Sequence, residues 1–277
     1  RFPGGMGIAS ENLYQEGVRI PGVKLLSRGE RNDALMETLA ANVRAPDDLL
    51  GDLAAQVAAC QRGADGIQRL LDRHGADTFT RINAQLRTYS ERAMRATIAT
   101  LPDGEYRVEE RFEDDGLGGE GVHICLRLTI AGDQALVDFH GTDAQVQSAI
   151  NVPVNLTKAC VYVAFRSMLQ EDAPANAGLT APVTVRAPTG SALNPEFPGA
   201  VGARGIMMWR VIDMVFLALT QADPSRVYAA GEGGMNLLVY APDDVASGQQ
   251  MLVDIYAGGW GARPSLDGIE GVTPMAA

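Results

Sequence analysis

Histidine, cysteine and tryptophan are scarce in this 277-residue chain, with three, three and two residues. His74, His123 and His140 never fall at a ligand spacing such as H-x-x-x-H, and none stands beside a cysteine cluster. No metal site is legible in such a pattern. Cys60, Cys125 and Cys160 are odd in number, widely separated and set among apolar neighbours. They read as buried thiols of a reducing compartment rather than as disulfides. There is no G-x-S-x-G nucleophile elbow, and Ser191 lies in a turn-like segment before Pro195. Gly231-Glu232-Gly233-Gly234 lacks the Lys-Ser/Thr of a phosphate loop, so it reads as a turn and places no ATP on this chain. Basic residues are outnumbered 23 to 34, a net charge of -11, which withholds the basic footprint that nucleic acid or an anionic membrane surface requires. No uninterrupted apolar run approaches the roughly 18 residues of a membrane span, and no secretory signal is visible. The expectation is a cytoplasmic protein with neither nucleic acid nor membrane as partner.

What is present is a globular composition, 46% hydrophobic and 21% charged, in a chain long enough for a large core. The apolar spacing predicts a helix over Glu30 to Ala40 and a longer one over Asp47 to His74, where Leu49, Leu53, Val57, Cys60, Ile67, Leu70 and Leu71 share a stripe. Gly75 stops that helix. Another begins near Asp77 and carries Phe79, Ile82, Leu86, Tyr89, Met94 and Ile98 on one face. The two are expected to form an antiparallel hairpin. After Pro102-Asp103-Gly104 the period changes to two: Tyr106 to Phe112, Val122 to Ile130 and Ala135 to Phe139 read as an antiparallel meander. Val154 to Leu169 and Met207 to Leu219 read as apolar helices, and Val183 to Ala187, Leu237 to Tyr240 and Met251 to Ile255 as strands. Gly199 to Gly205 and Pro242 to Gln249 read as flexible connections. The fold class is α+β, with residues 1–102 as a signature loop plus helical hairpin and 103–277 as a mixed sheet-and-helix region packed as one continuous subunit.

The stretch Asn12 to Leu25 follows neither period, yet it sets a carboxamide, a carboxylate and a guanidinium (Gln15, Glu16, Arg19) within five residues before Pro21. Two readings are open on the residues alone. In one, Glu16 and Arg19 lock an ordered loop; in the other, Glu16 accepts a proton or orients a metal-bound water while Arg19 holds an anionic intermediate through its bidentate guanidinium. Asp52 and Gln56, four apart on one helix face, are placed to support that loop. Trp260 and Arg263 stand among Gly258, Gly259 and Gly261, which allow a close backbone approach.

Tyr14-Gln15-Glu16-Gly17-Val18-Arg19-Ile20-Pro21 resembles the Y-Q-E-G-x-R-x-P signature of the hydantoinase B/oxoprolinase family. Asn42-Val43-Arg44-Ala45-Pro46, Gly51-Asp52-Leu53-Ala54-Ala55-Gln56 and Asp138-Phe139-His140-Gly141-Thr142-Asp143-Ala144-Gln145 follow in the family's order. So do Ile150-Asn151-Val152-Pro153, Ser191-Ala192-Leu193-Asn194-Pro195 and Gly258 to Pro264. The resemblance covers nearly the whole chain. It implies a subunit of an ATP-dependent enzyme whose hydantoinase A-like partner binds ATP-Mg and phosphorylates a small cyclic amide or ketone, leaving ring hydrolysis or carboxylation to this subunit. It further implies a divalent metal, zinc or manganese, for the complete subunit. The family's Asp and His ligands lie in a segment before Arg1, so the chain reads as an internal portion of a longer subunit without metal ligands of its own. On the resemblance, Glu16 and Arg19 are the catalytic candidates, and Gln15, Asp52, Gln56, Asn151 and Arg263 bind substrate or support the site. A cyclic-amide hydrolase is the first reading, an acetone- or acetophenone-type carboxylase the second, and a non-catalytic structural or interaction fragment the third.

Overall fold

The structure, a computed structural model, describes residues 7–170, 172–225, 227, 229–231, 235–240 and 252–269. Among them two compact units separate: one holds the residues up to 17 and from 86 onward, the other residues 18–85. The turn Gly231 to Gly234 and the connection Pro242 to Gln249 expected from sequence lie largely or wholly outside the described residues.

The smaller unit opens with a two-residue hairpin, β1 (Leu26–Ser27) against β2 (Glu30–Arg31). Arg28 and Gly29 turn it with φ of 53° and 86°. Helix α2 (Asp33–Ala41) starts later than the periodicity suggested, because Asn32 caps it: its Oδ1 accepts from the Leu35 N–H at 3.1 Å. Pro46 then leads α3 (Pro46–His74), with Asp47 and Asp48 at the positive end of the helix dipole. Gly75, at φ 78°, ends it by donating to the Leu71 carbonyl at 2.8 Å.

The next helix, α4, runs from Ala76 to Ile98, with Asp77 inside its first turn rather than at a cap. Helix α3 lies against α2, and α4 passes at Leu86 into the larger unit, where it buries Ser90, Ala93, Met94 and Ile98. No residue of α2 or α3 is buried.

The larger unit is built on a four-stranded sheet, β3 (Gly104–Arg111), β4 (His123–Ala131), β5 (Gln134–Asp138) and β6 (Val183–Arg186), in that order. The first three form the expected antiparallel meander, and β6 joins β5 in parallel, with Asp138 opposite Arg186. The connection from β5 to β6 carries α5 (Val154–Ser167) and the short α6 (Ala177–Thr180), as a parallel neighbour requires. Strand β4 alternates strictly: Ile124, Leu126, Leu128 and Ile130 are buried, while His123, Cys125, Arg127 and Thr129 are only partly covered.

Helix α7 (Gly205–Ala222) packs on α5, β3 and β4 and completes the core. By length and composition it is apolar enough to cross a bilayer. Arg210 and Asp213 interrupt its run, and ten of its residues, Met207 and Trp209 among them, are buried inside the protein. A separate hairpin pairs β7 (Met235–Tyr240) with β8 (Leu252–Ala257). The helices and strands together make the α+β class expected from sequence.

Candidate functional site

The Tyr14-Gln15-Glu16 signature forms α1 (Leu13–Glu16), a single turn too short to hold itself together. Its order comes from a segment some 185 residues away. The Leu13 N–H donates to the Pro198 carbonyl at 2.9 Å, and the Tyr14 ring meets Phe197 edge-on, with centroids 5.5 Å apart. Glu16 is half-buried, and its Oε1 accepts from the N–H groups of both Val201 (2.6 Å) and Gly202 (2.5 Å). A carboxylate held by two successive amides is a charge-assisted clamp. Gly202 allows it, since a Cβ there would sit 3.1 Å from Oε1.

Two further motifs close on the same segment. Gln145 takes the backbone of Glu196 from both sides, its Oε1 accepting from the N–H at 2.6 Å and its Nε2 donating to the carbonyl at 3.2 Å. Asn151 is fully buried: Oδ1 accepts from Val146 at 2.9 Å, and Nδ2 donates to the carbonyls of Val146, Ser148 and Ala200 at 2.8 to 3.0 Å. Every polar atom of that carboxamide is engaged with backbone, so it holds a loop in shape. The Ala203 N–H adds a bond to Ala149 at 2.9 Å. Residues 196–203, which overlap the Gly199 to Gly205 stretch read from sequence as a flexible connection, are clamped by three motifs at once.

The remaining candidates are placed as follows. Gln15 is exposed, with Oε1 accepting from the Glu11 N–H at 2.8 Å. The boundary between the units falls between Gly17 and Val18, so Gln15 and Glu16 belong to the larger unit, and Arg19, Asp52 and Gln56 to the smaller. Arg19, Asp52 and Gln56 are all exposed, and Gln56 lines a shallow apolar groove with Leu25, Leu26, Leu53, Val57 and Cys60. Arg263 is exposed on a tight turn closed by paired bonds between Trp260 and Ile269 and by the Arg263 N–H on the Leu266 carbonyl at 2.8 Å. What the glycines of that region approach is the chain itself: a Cβ on Gly261 would strike the Ala229 carbonyl, and one on Gly268 the Trp260 carbonyl.

Sequence reasoning missed two groupings. An open cleft of about 450 Å³ lies at the C-terminal ends of the parallel pair β5 and β6, lined by Asp138, His140, Arg186 and, from the first turns of α5, Val154 and Lys158. Open α/β sheets bind ligands outside such strand ends. Lys158 and Arg186 give it a cationic lining, while Asp138 is engaged with Arg127 at 3.0 Å and with the His140 N–H at 3.0 Å. The second grouping is Glu109, His123 and Cys125, brought together across β3 and β4. Of the three cysteines only Cys160 is a buried thiol, with burial pushing its pKa up to about 12; Cys60 is exposed and Cys125 half-covered on the polar face. The strand parity was the available signal, since Cys125 shares its side with His123 and Arg127 and not with Ile124 and Leu126.

The Hydantoinase B/oxoprolinase family model matches residues 1–277. The chain belongs to the hydantoinase B/oxoprolinase family. It is similar to the beta component of a caprolactamase of Pseudomonas jessenii, 32% identical over 99% of this chain and 48% of that protein, and to 5-oxoprolinase 1 of Arabidopsis thaliana, 29% identical over 98% of this chain and 22% of that protein. It also matches the crystal structure of an ATP-dependent caprolactamase from Pseudomonas jessenii, with a TM-score of 0.91 and 31% identity over 99% of this chain and 48% of the other. An acetone carboxylase shares the fold, with a TM-score of 0.84 at 16% identity over 98% of this chain and 38% of that one. This hydantoinase B/oxoprolinase chain thus spans about half the length, or less, of the relatives it matches. The family's expected divalent metal finds no Asp and His ligand set among its described residues. His74 ends α3, His123 lies on β4 and His140 follows β5, each on a separate element.

Proposed function

We propose that this chain is part of a subunit of an ATP-dependent hydrolase of cyclic amides, acting in the cytoplasm with a partner ATPase subunit that phosphorylates the substrate. The observation that carries the reading is the likeness to an ATP-dependent caprolactamase along 99% of the chain, at 31% identity. A lactam resists water because its carbonyl carbon is a poor electrophile; phosphorylation of the carbonyl oxygen turns that oxygen into a leaving group. One water then adds at the carbon and the ring C–N bond breaks with the proton passing to nitrogen, leaving an acyl phosphate, and a second water converts that to carboxylate and free phosphate.

Such a course passes through anionic phosphate and ends in a carboxylate, both suited to paired cations. We assign that duty to the cleft lined by Lys158 and Arg186 beside the start of α5. Glu16 anchors residues 196–203 through Oε1, and proton acceptance is assigned to its other oxygen. Arg19 keeps its proposed anion-holding duty on the chemistry of its guanidinium.

The test is turnover of the full subunit with its ATPase partner on a lactam, 5-oxoproline and a hydantoin, with and without bicarbonate. Ring opening that needs ATP and ignores bicarbonate supports the hydrolase. ATP consumption that needs a ketone and bicarbonate moves the assignment to the carboxylase, whose fold the chain shares. In the same assay Lys158→Ala and Arg186→Ala raise KM; unchanged kinetics in both would remove the cleft from the proposal.

A further inference from the structure

On the polar face of the sheet, where β3 and β4 run antiparallel, Glu109 stands directly opposite Cys125, and His123 lies two residues along the same face. The side chains converge. The Cys125 sulfur is 3.7 Å from His123 Nδ1, the Glu109 carboxylate is 3.4 Å from His123 Nε2, and one donor atom from each residue falls within 4.8 Å of the other two. A tetrahedral zinc ion with bonds of about 2.3 Å to sulfur and about 2.0–2.2 Å to nitrogen and oxygen sets its ligand atoms roughly 3.3–3.6 Å apart. The Sγ···Nδ1 separation is already close to that value, which makes Nδ1 the ligating nitrogen, and the exposed, rotatable Glu109, now against Nε2, has to swing round to the Nδ1 side.

The backbone under these donors is fixed independently. Thr142 Oγ1 accepts from the Cys125 N–H at 3.2 Å and donates to the Cys125 carbonyl at 3.3 Å, while Asp143 Oδ2 accepts from the His123 N–H at 2.8 Å. Gly141, at φ 99°, lets its loop pass close to the sulfur, since a Cβ there would lie 3.2 Å from Sγ. The Asp138 to Gln145 motif therefore props the strand end that carries two of the three donors. Outer contacts of this kind orient metal ligands.

We infer that Glu109, His123 and Cys125 form a binding site for a borderline-soft divalent transition metal, Zn²⁺ in the first place, with the fourth position open. Thiolate and imidazole select such a metal over Mg²⁺ or Ca²⁺, which want oxygen ligands. Binding exchanges the Cys125 thiol proton for the metal: one S–H bond breaks, one metal–sulfur bond forms and one proton leaves to solvent. The site is independent of the proposed reaction, and its role is to staple β3 to β4 beside the motif loop.

The experiment is titration of the full subunit with Co²⁺, followed by Zn²⁺ displacement. A thiolate-to-cobalt absorption saturating at one equivalent, displaced by Zn²⁺ and not by excess Mg²⁺, is the expected result. Cys125→Ser abolishes it and Cys60→Ser leaves it intact. Glu109→Gln, at an exposed position that does not endanger folding, weakens Zn²⁺ affinity about tenfold or more, since even outer-shell partners cost roughly 10- to 100-fold. No thiolate band in the wild type, or a band retained in Cys125→Ser, overturns the assignment.

Discussion

Replacing Glu16 separates its two duties. In Glu16→Ala the amides of Val201 and Gly202 lose their acceptor, and hydrogen bonds to a charged group contribute about 1.5–3 kcal/mol each. The side chain is half-buried, so the lower end applies, giving roughly 3 kcal/mol for the pair. In a unit of this size each kcal/mol moves Tm by about 2–4 °C, hence a fall of roughly 6–12 °C. Glu16→Gln keeps an oxygen facing both amides and loses only the charge, so it falls by about 2–4 °C, near 1 kcal/mol. The assay is thermal unfolding followed by circular dichroism on the full subunit, with ATP-dependent turnover measured alongside. A fall below about 2 °C in Glu16→Ala refutes the clamp. If Glu16→Gln loses about a hundredfold or more in kcat while staying folded, the remaining oxygen acts in proton transfer; turnover that tracks stability alone leaves Glu16 an anchor.

Two more outcomes follow from buried positions. Gly178 in α6 lies so close to α4 that an added Cβ would strike the backbone of Arg87, so Gly178→Ala destabilises by about 1–3 kcal/mol or more; an unchanged Tm would contradict that packing. Asp213 in α7 has its pKa pushed up from 3.8 to about 6, chiefly by burial and further by Glu110, against the opposing pull of Arg210. Between those values the folded state binds more protons than the unfolded state, so stability falls as pH rises through about 4 to 6 and stays reduced above. The full penalty is no more than about 3 kcal/mol, and less with partial solvent contact. Asp213→Asn therefore raises Tm at about pH 7.5 relative to wild type and by much less at about pH 4.5; a lower Tm at the higher pH contradicts the sign.

Local pattern carried far in this chain. The period-two alternation placed β3, β4 and β5, and the capping and stop residues around α3 lie within one or two positions of its ends. The same pattern could not say what α3 packs against, because a stripe names a face and not its partner; α3 lies against α2, and Leu53 and Val57 line a groove with Met36 and Ala40. The motif residues were legible as a set, yet their meeting place was not. Glu16 reaches Val201, Gln145 reaches Glu196 and Asn151 reaches Ala200 over separations of 185, 51 and 49 residues, which no local period encodes. Glycine content in Gly199 to Gly205 suggested looseness, whereas the glycines make room for close clamps. His123 and Cys125 looked inert because their third partner lies on the neighbouring strand.

The dependence of α1 on residues 196–203 also fixes when it can form. A four-residue turn has no helical order to offer before its partners exist, and the partner amides come some 185 residues later in synthesis. Closing a loop of that length costs entropy that grows only slowly with further length, about 0.6 kcal/mol per doubling. The docking of α1 is therefore set by the readiness of residues 196–203, with the length of the intervening chain a minor term. Insertions in exposed intervening loops leave the clamp within reach, while a change that distorts the 196–203 loop frees α1 along with it.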